Sequence, residues 1–141
     1  MFSMTYAIIE DKPHFVNQWE DLPEREFESR IRDKRCYVIR FEGNPIGYMR
    51  YNLIFDFIPF ITCFYIDDPY RGKGFGKLAV LHWEDEMRSL DYKMVMISTE
   101  VDNDVQHLYR KLGYKDMGSI ILGGILPYKQ DVMEMFMGKP L

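Results

Sequence analysis

The sequence predicts an α/β (α+β) fold: a mixed, mostly antiparallel central sheet of six to seven strands, flanked by about four helices, with one β-α-β crossover. Three observations lead there. Apolar runs of strand length between Cys36 and Ile66 are joined by short turn signals, as in an antiparallel meander. A glycine-rich stretch, Tyr70-Arg71-Gly72-Lys73-Gly74-Phe75-Gly76-Lys77, leads into a helix-periodic run and then another apolar run, the order of a crossover. Two further apolar runs follow Gly113.

In chain order, Thr5 to Ile9 is short and β-prone and is expected to be the first strand. A short helix is expected between Lys12 and Trp19. A longer one is expected from an Asp21 cap, with Pro23 in its first turn and Glu24 completing a capping box. Phe27 and Ile31 share one face of that helix, which should run to about Lys34. Cys36–Phe41 reads as a strand, Glu42-Gly43-Asn44-Pro45 as its turn, Ile46–Leu53 as the antiparallel partner, and Phe57–Ile66 as the third member. After the glycine loop, Phe75, Leu78, Ala79, Trp83, Met87 and Leu90 mark one stripe of a helix lying on a sheet. Lys93–Thr99 is then the strand that ends the crossover. Asp104–Leu112 is a second helix with Gly113 at its C′ position. Tyr114–Leu122 and Val132–Met137 supply the last strands, and Met133, Met135 and Met137 read as period-2 core.

Composition narrows the function classes. The chain has 141 residues, 47% hydrophobic and 28% charged, which suits one soluble domain spanning 1–141 with a substantial core. A net charge of −4 and a pI near 5.4 favour neither nucleic acid nor an anionic membrane as partner, and a mildly acidic surface suits a cationic amine. No run approaches the ~20 apolar residues of a membrane span, and no leader pattern is visible at the N-terminus. Cys36 and Cys63 lie in strand-like runs and read as buried reduced thiols of a cytoplasmic protein. They and the three histidines have no metal-ligand spacing, so no metal is expected.

The glycine loop carries the chemistry. Alternating glycines let a backbone turn tightly or admit a ligand, and a helix starting there offers free N–H groups beside Arg71, Lys73 and Lys77, a site for phosphate. By itself the loop is also compatible with a plain surface turn. A nucleoside-triphosphate P-loop is excluded: ending it on Gly76-Lys77 puts Arg71 where glycine is needed and Leu78 where Ser or Thr is needed. Gly74, Gly76 and Ala79 do match a dinucleotide fingerprint, with Glu100 further on, but the loop follows antiparallel strands, and one crossover cannot supply two mononucleotide halves.

Arg71-x-x-Gly74-x-Gly76 resembles the [QR]-x-x-G-x-[GA] signature of the GCN5-related N-acetyltransferase (GNAT) superfamily, and Leu108-Tyr109-Arg110-Lys111-Leu112-Gly113-Tyr114 resembles that family's second motif, L-Y-x-K-x-G-F/Y. With the order of elements, the resemblance covers nearly the whole chain. It implies an acetyl-CoA-dependent N-acetyltransferase acting on a small-molecule, peptide or lysine amine; the rival expectation is a non-catalytic acyl-CoA-binding module. It implies that pantetheine pairs with the backbone near Tyr65, Ile66 and Asp67, and that the pyrophosphate sits on Arg71, Gly72, Lys73, Gly74, Phe75, Gly76 and Lys77. Tyr109 matches the tyrosine that serves as general acid to the departing thiolate.

The chain departs from the family pattern in places. At the two positions where members carry a basic carboxylate it has Phe60 and Ile97; the nearest acids are Glu100, taken as the candidate base, and Asp56. The family asparagine slot holds Asp102, with Asn103 beside it able to reach pantetheine if the loop is shortened. His107 should face away from the tyrosine. Aromatics such as Trp19, Tyr51, Phe55, Phe57, Phe60 and Tyr128 are expected around the acceptor or in the core. A homodimer through the terminal strands is implied by resemblance alone.

Overall fold

A computed structural model describes residues 1–16, 23–124 and 132–141. Its elements are β1 (Phe2–Tyr6), α1 (Pro13–Val16), α2 (Glu24–Arg32), β2 (Cys36–Phe41), β3 (Asn44–Ile54), β4 (Ile58–Ile66), α3 (Phe75–Ser89), β5 (Met94–Glu100), α4 (Val105–Lys111), β6 (Lys115–Ile121) and β7 (Met133–Pro140). The strands form a mixed seven-stranded sheet in the order β1-β2-β3-β4-β5-β7-β6. The chain groups into two compact units, Met1–Asn52 with Ile61–Asp85, and Leu53–Phe60 with Glu86–Leu141.

In the first unit β1 pairs antiparallel with β2, and β2 with β3. Because side chains alternate across a strand, the unbroken apolar run of β2 serves two faces. Cys36 and Val38 pack with Ala7, Phe15, Phe27 and Tyr48. On the opposite face Tyr37 stacks on Tyr51 at 6.2 Å, and Tyr51 meets Trp83 of α3 edge-on at 5.8 Å. Burial pushes the Cys36 thiol up to about 12, which keeps it neutral and unreactive. Glu42 and Gly43 both have positive φ, the primed two-residue turn that matches strand twist, so Asn44 and Pro45 already belong to β3.

In the second unit β5 and β6 each pair antiparallel with β7. Val95, Ile97, Thr99, Met135 and Met137 are buried on one face. Met133, expected in that stripe, is 38% exposed at the strand start.

Several expected boundaries move for physical reasons. The first strand is Phe2–Tyr6, not Thr5–Ile9. Asp11 accepts a hydrogen bond from the Ile8 amide at 2.8 Å and meets Arg40 at 3.4 Å, turning the chain off the sheet into a 3-10 turn at Ile9–Asp11. The α2 helix begins at Glu24 with Pro23 before it, and the Asp21 cap lies outside the described residues. It ends at Arg32 rather than Lys34, because Lys34 takes positive φ and the Arg35 amide returns to the Arg30 carbonyl. The buried stripe of α3 is Phe75, Ala79, Val80, Trp83, Glu84 and Met87, so Leu78 and Leu90 are exposed at 45% and 54%. Among the described residues no helix is long and apolar enough to cross a membrane.

One contact orders the first unit. A Cβ on Gly47 of β3 would stand 2.2 Å from the Tyr65 carbonyl oxygen of β4 and 3.1 Å from the Ile66 Cα. Both neighbours are backbone and cannot swing aside. Gly47→Ala should therefore destabilise the protein by about 2 kcal/mol or more, read as a lowered midpoint in urea unfolding. An unchanged midpoint would mean that the two strands are free to separate.

Candidate active site

In the first unit the Asp67 amide donates to the Ile46 carbonyl at 2.7 Å, the last contact before the chain leaves the β3 edge. Strand alternation then turns the main-chain groups of Ile66 away from β3. Of the three residues expected to meet pantetheine, Tyr65 and Asp67 are thus engaged with β3, and Ile66 faces outward. Arg71 clasps this end of β4: its Nε donates to the Ile66 carbonyl at 2.7 Å, its guanidinium lies 4.8 Å over the Tyr65 ring, and it pairs with Asp68 at 2.8 Å. The arginine of the motif is therefore first a fastener of the loop.

Beyond it Gly72 and Gly74 have φ of 74° and 89°, with open space where their Cβ atoms would be. Phe75 is buried against Phe41 at 4.9 Å, Phe2 at 6.4 Å and Tyr70 at 6.3 Å, which pins the start of α3. The first helical hydrogen bond runs from the Leu78 amide to the Gly74 carbonyl, so the amides of Phe75, Gly76 and Lys77 lack an acceptor within the helix. With the positive end of a 15-residue helix and the exposed Lys73 and Lys77 beside them, they form a cradle for an anion. Gly76 has ordinary φ, and its Cβ would only touch the Phe64 ring at 3.8 Å, so the fold does not require a glycine there.

In the second unit Tyr109 lies on α4, buried, with its ring 6.0 Å from Tyr114. The second motif has a mechanical reason. Gly113 takes φ of 100°, its amide donates to the Arg110 carbonyl, and the Tyr114 amide returns to the Tyr109 carbonyl at 3.0 Å. This Schellman closure needs glycine at that position and fixes the backbone that carries Tyr109. Burial alone raises the Tyr109 phenol above its ordinary value, which already lies well above neutral pH, so the group is protonated there with or without the shift. His107 is exposed beside Arg110, facing outward as expected.

Asn103 closes the turn that leads into α4: its Oδ1 accepts the Val105 amide at 2.9 Å and its own amide donates to the Glu100 carbonyl at 3.0 Å. Asp102 is exposed. Glu100 ends β5, directly across the ladder from Glu134 of β7. Ser98 donates to Glu134 Oε1 at 2.9 Å, and Phe136 on the same face packs 5.7 Å from Phe60. Sequence reading missed Ser98 and Glu134. Their signal was the second face of the methionine strand, where Glu134 and Phe136 alternate with buried methionines. Phe55, Phe57 and Asp56 are exposed at the β3–β4 turn, Tyr51 is core, and Trp19 and Tyr128 lie outside the described residues.

The model of the acetyltransferase (GNAT) family matches residues 4–114. The chain belongs to the GNAT family. No curated protein matches this GNAT sequence significantly. Solved structures do. The ribosomal-protein-alanine N-acetyltransferase of Brucella melitensis superposes with a TM-score of 0.80 at 22% identity, over 99% of each chain. Ard1 of Thermoplasma volcanium gives 0.82 at 15% identity, over 99% of this chain and 97% of that one. A putative streptothricin acetyltransferase of Bacillus anthracis, solved with acetyl coenzyme A, gives 0.65 at 18% identity, over 75% and 61%. At these identities the likeness is one of fold.

Gly74 and Gly76 should separate by substitution. Gly74→Ala forces a side chain into the left-handed region and should cost about 1–2 kcal/mol. Gly76→Ala should be neutral or stabilising by up to about 1 kcal/mol, since alanine suits a helix better. Urea unfolding of both variants checks the pair.

Proposed function

We propose that this GNAT enzyme transfers the acetyl group of acetyl-CoA to a primary amine of a small molecule or peptide, the whole chain working as one acetyltransferase domain. The observation that carries the proposal is the loop opening α3: three unpaired helix amides, two positive-φ glycines with open space, and a basic rim. That donor set fits a pyrophosphate, a doubly charged group that needs several N–H donors and close backbone approach. In this reading Gly72 to Lys77 hold the pyrophosphate, Arg71 keeps the loop fastened to β4, the outward main chain of Ile66 meets the amide-bearing arm, and the Asn103 side-chain amide contributes a donor.

Acetyl-CoA supplies the activated thioester; this chain's residues manage protons and orientation. The amine must lose a proton to attack, and the departing sulfur must gain one. Tyr109 is the proposed donor to sulfur. Its buried phenol is neutral at working pH, and a thiolate forming beside it receives a charge-assisted hydrogen bond before the proton moves. Glu100, where β5 gives way to the Asn103 turn, is the acid that the sequence offers for the amine's proton. Phe60 and Ile97 occupy the two family carboxylate positions, and Ile97 is buried core, so any base must come from elsewhere.

Thiol release with a panel of primary amines tests the reading. The wild type should turn over with at least one amine. Tyr109→Phe should lower kcat about 10²–10³-fold with acetyl-CoA affinity nearly unchanged. Because burial raises the phenol, kcat should not fall on its account until above about pH 10. Gly76→Ala, harmless to the fold, should weaken acetyl-CoA binding about tenfold, as for one or two lost hydrogen bonds. Tight CoA binding with no turnover on any amine would leave a binding module and refute the transferase.

A further inference from the structure

The second unit contains a carboxylate that the reading above does not use. The register of β5 on β7 sets Glu100 opposite Glu134 and Ser98 opposite Phe136. Alternation sends these four side chains to one face, while Ile97, Thr99, Met135 and Met137 fill the other. Glu134 Oε1 accepts the Ser98 hydroxyl at 2.9 Å. Its Oε2 is closed off from solvent and has no hydrogen-bond partner among the described residues. A desolvated carboxylate oxygen without a donor is costly, and it sits across one rung from a second acid, where like charges repel. A cation arriving between the two would relieve both penalties. The aromatic pair Phe60 and Phe136 provides an apolar wall on the same face.

We propose that Glu134, oriented by Ser98 and reinforced by the charge of Glu100, holds the acceptor's ammonium group and takes its proton. This rests on the transfer reading above and replaces Glu100 as the base. It also explains how the family's two carboxylate positions can be apolar here: the acid arrives from β7 and is steered by a β5 hydroxyl. Glu134 as a whole is only partly covered, and the last torsion of a glutamate is soft, so an ammonium can reach the carboxylate from its open side.

The protons balance. Glu134 takes one proton from R–NH3⁺, and the freed lone pair forms the N–C bond to the acetyl carbon as the C–S bond breaks. The sulfur takes the Tyr109 proton, which the new amide nitrogen replaces. The product keeps one N–H, and the proton on Glu134 leaves to water.

The test compares Glu134→Gln, Ser98→Ala and Glu100→Gln with the wild type, using spermidine, a lysine peptide and a peptide with a free α-amino group as probes. Glutamine keeps the size of Glu134 and an acceptor for Ser98, so the fold should survive, as acetyl-CoA binding and the melting temperature will show. Thiol release should show kcat/KM for the amine falling about 10²-fold or more in Glu134→Gln, with a smaller loss in Ser98→Ala. The deficit should narrow as pH rises towards the amine's own pKa, where free amine needs no base. Calorimetry without acetyl-CoA should show amine binding to the wild type and its loss in Glu134→Gln. An active wild type with an indifferent Glu134→Gln, or loss confined to Glu100→Gln, overturns the inference and leaves the transferase standing. A wild type that releases no thiol with any amine overturns both.

Discussion

The close passage of β3 against β4 is the constraint on which the loop depends. The Tyr65 carbonyl lies where a side chain at position 47 would be, so the strands run together only because Gly47 has none. From that fixed edge Asp67 makes its last bond to β3, Arg71 reaches back to the Ile66 carbonyl and the Tyr65 ring, and Phe75 buries itself among Phe2, Phe41 and Tyr70. The start of α3 is thereby held from both sides. A cradle that is rigid before its ligand arrives loses little entropy in binding, and its amides need no rearrangement to meet negative charge.

The second unit applies the same logic to the proposed proton donor. Tyr109, the proposed acid, is held in a buried position, and burial requires a backbone that does not fray. The Schellman closure through Gly113 and Tyr114 supplies that backbone, so the recurring glycine and aromatic residue of the motif are the mechanical support of the tyrosine. Glu134 is its counterpart on β7, a carboxylate half committed to Ser98 and half unsatisfied. Structures tolerate such costs mainly where a ligand or a proton removes them.

Much of this was legible from residue order. β2 fell where its apolar run predicted, α3 began at Phe75, and Gly113 capped α4, because each depends on local pattern or on a glycine's φ. The family followed from Arg71, Gly74, Gly76, Tyr109 and Gly113. What escaped were effects of register and side-chain reach. Asp11 ends the first strand by bonding back to Ile8, which no alternation of apolar residues announces. The buried face of α3 is turned by one residue, exposing Leu78 and burying Glu84, because packing rather than hydrophobicity alone chooses the stripe. The Ser98–Glu134 contact spans 36 positions and exists only once β5 and β7 are paired. Arg71 was legible as a motif residue, whereas its grip on β4 was not.

Hydrogen exchange of the backbone amides, with and without CoA, tests the central claim most directly. If the loop that opens α3 holds the pyrophosphate, the amides of Gly72 to Lys77 should exchange markedly more slowly when CoA is bound, including those of Phe75, Gly76 and Lys77 that no helical carbonyl protects. CoA binding that leaves these amides unchanged while protecting another segment would contradict the account.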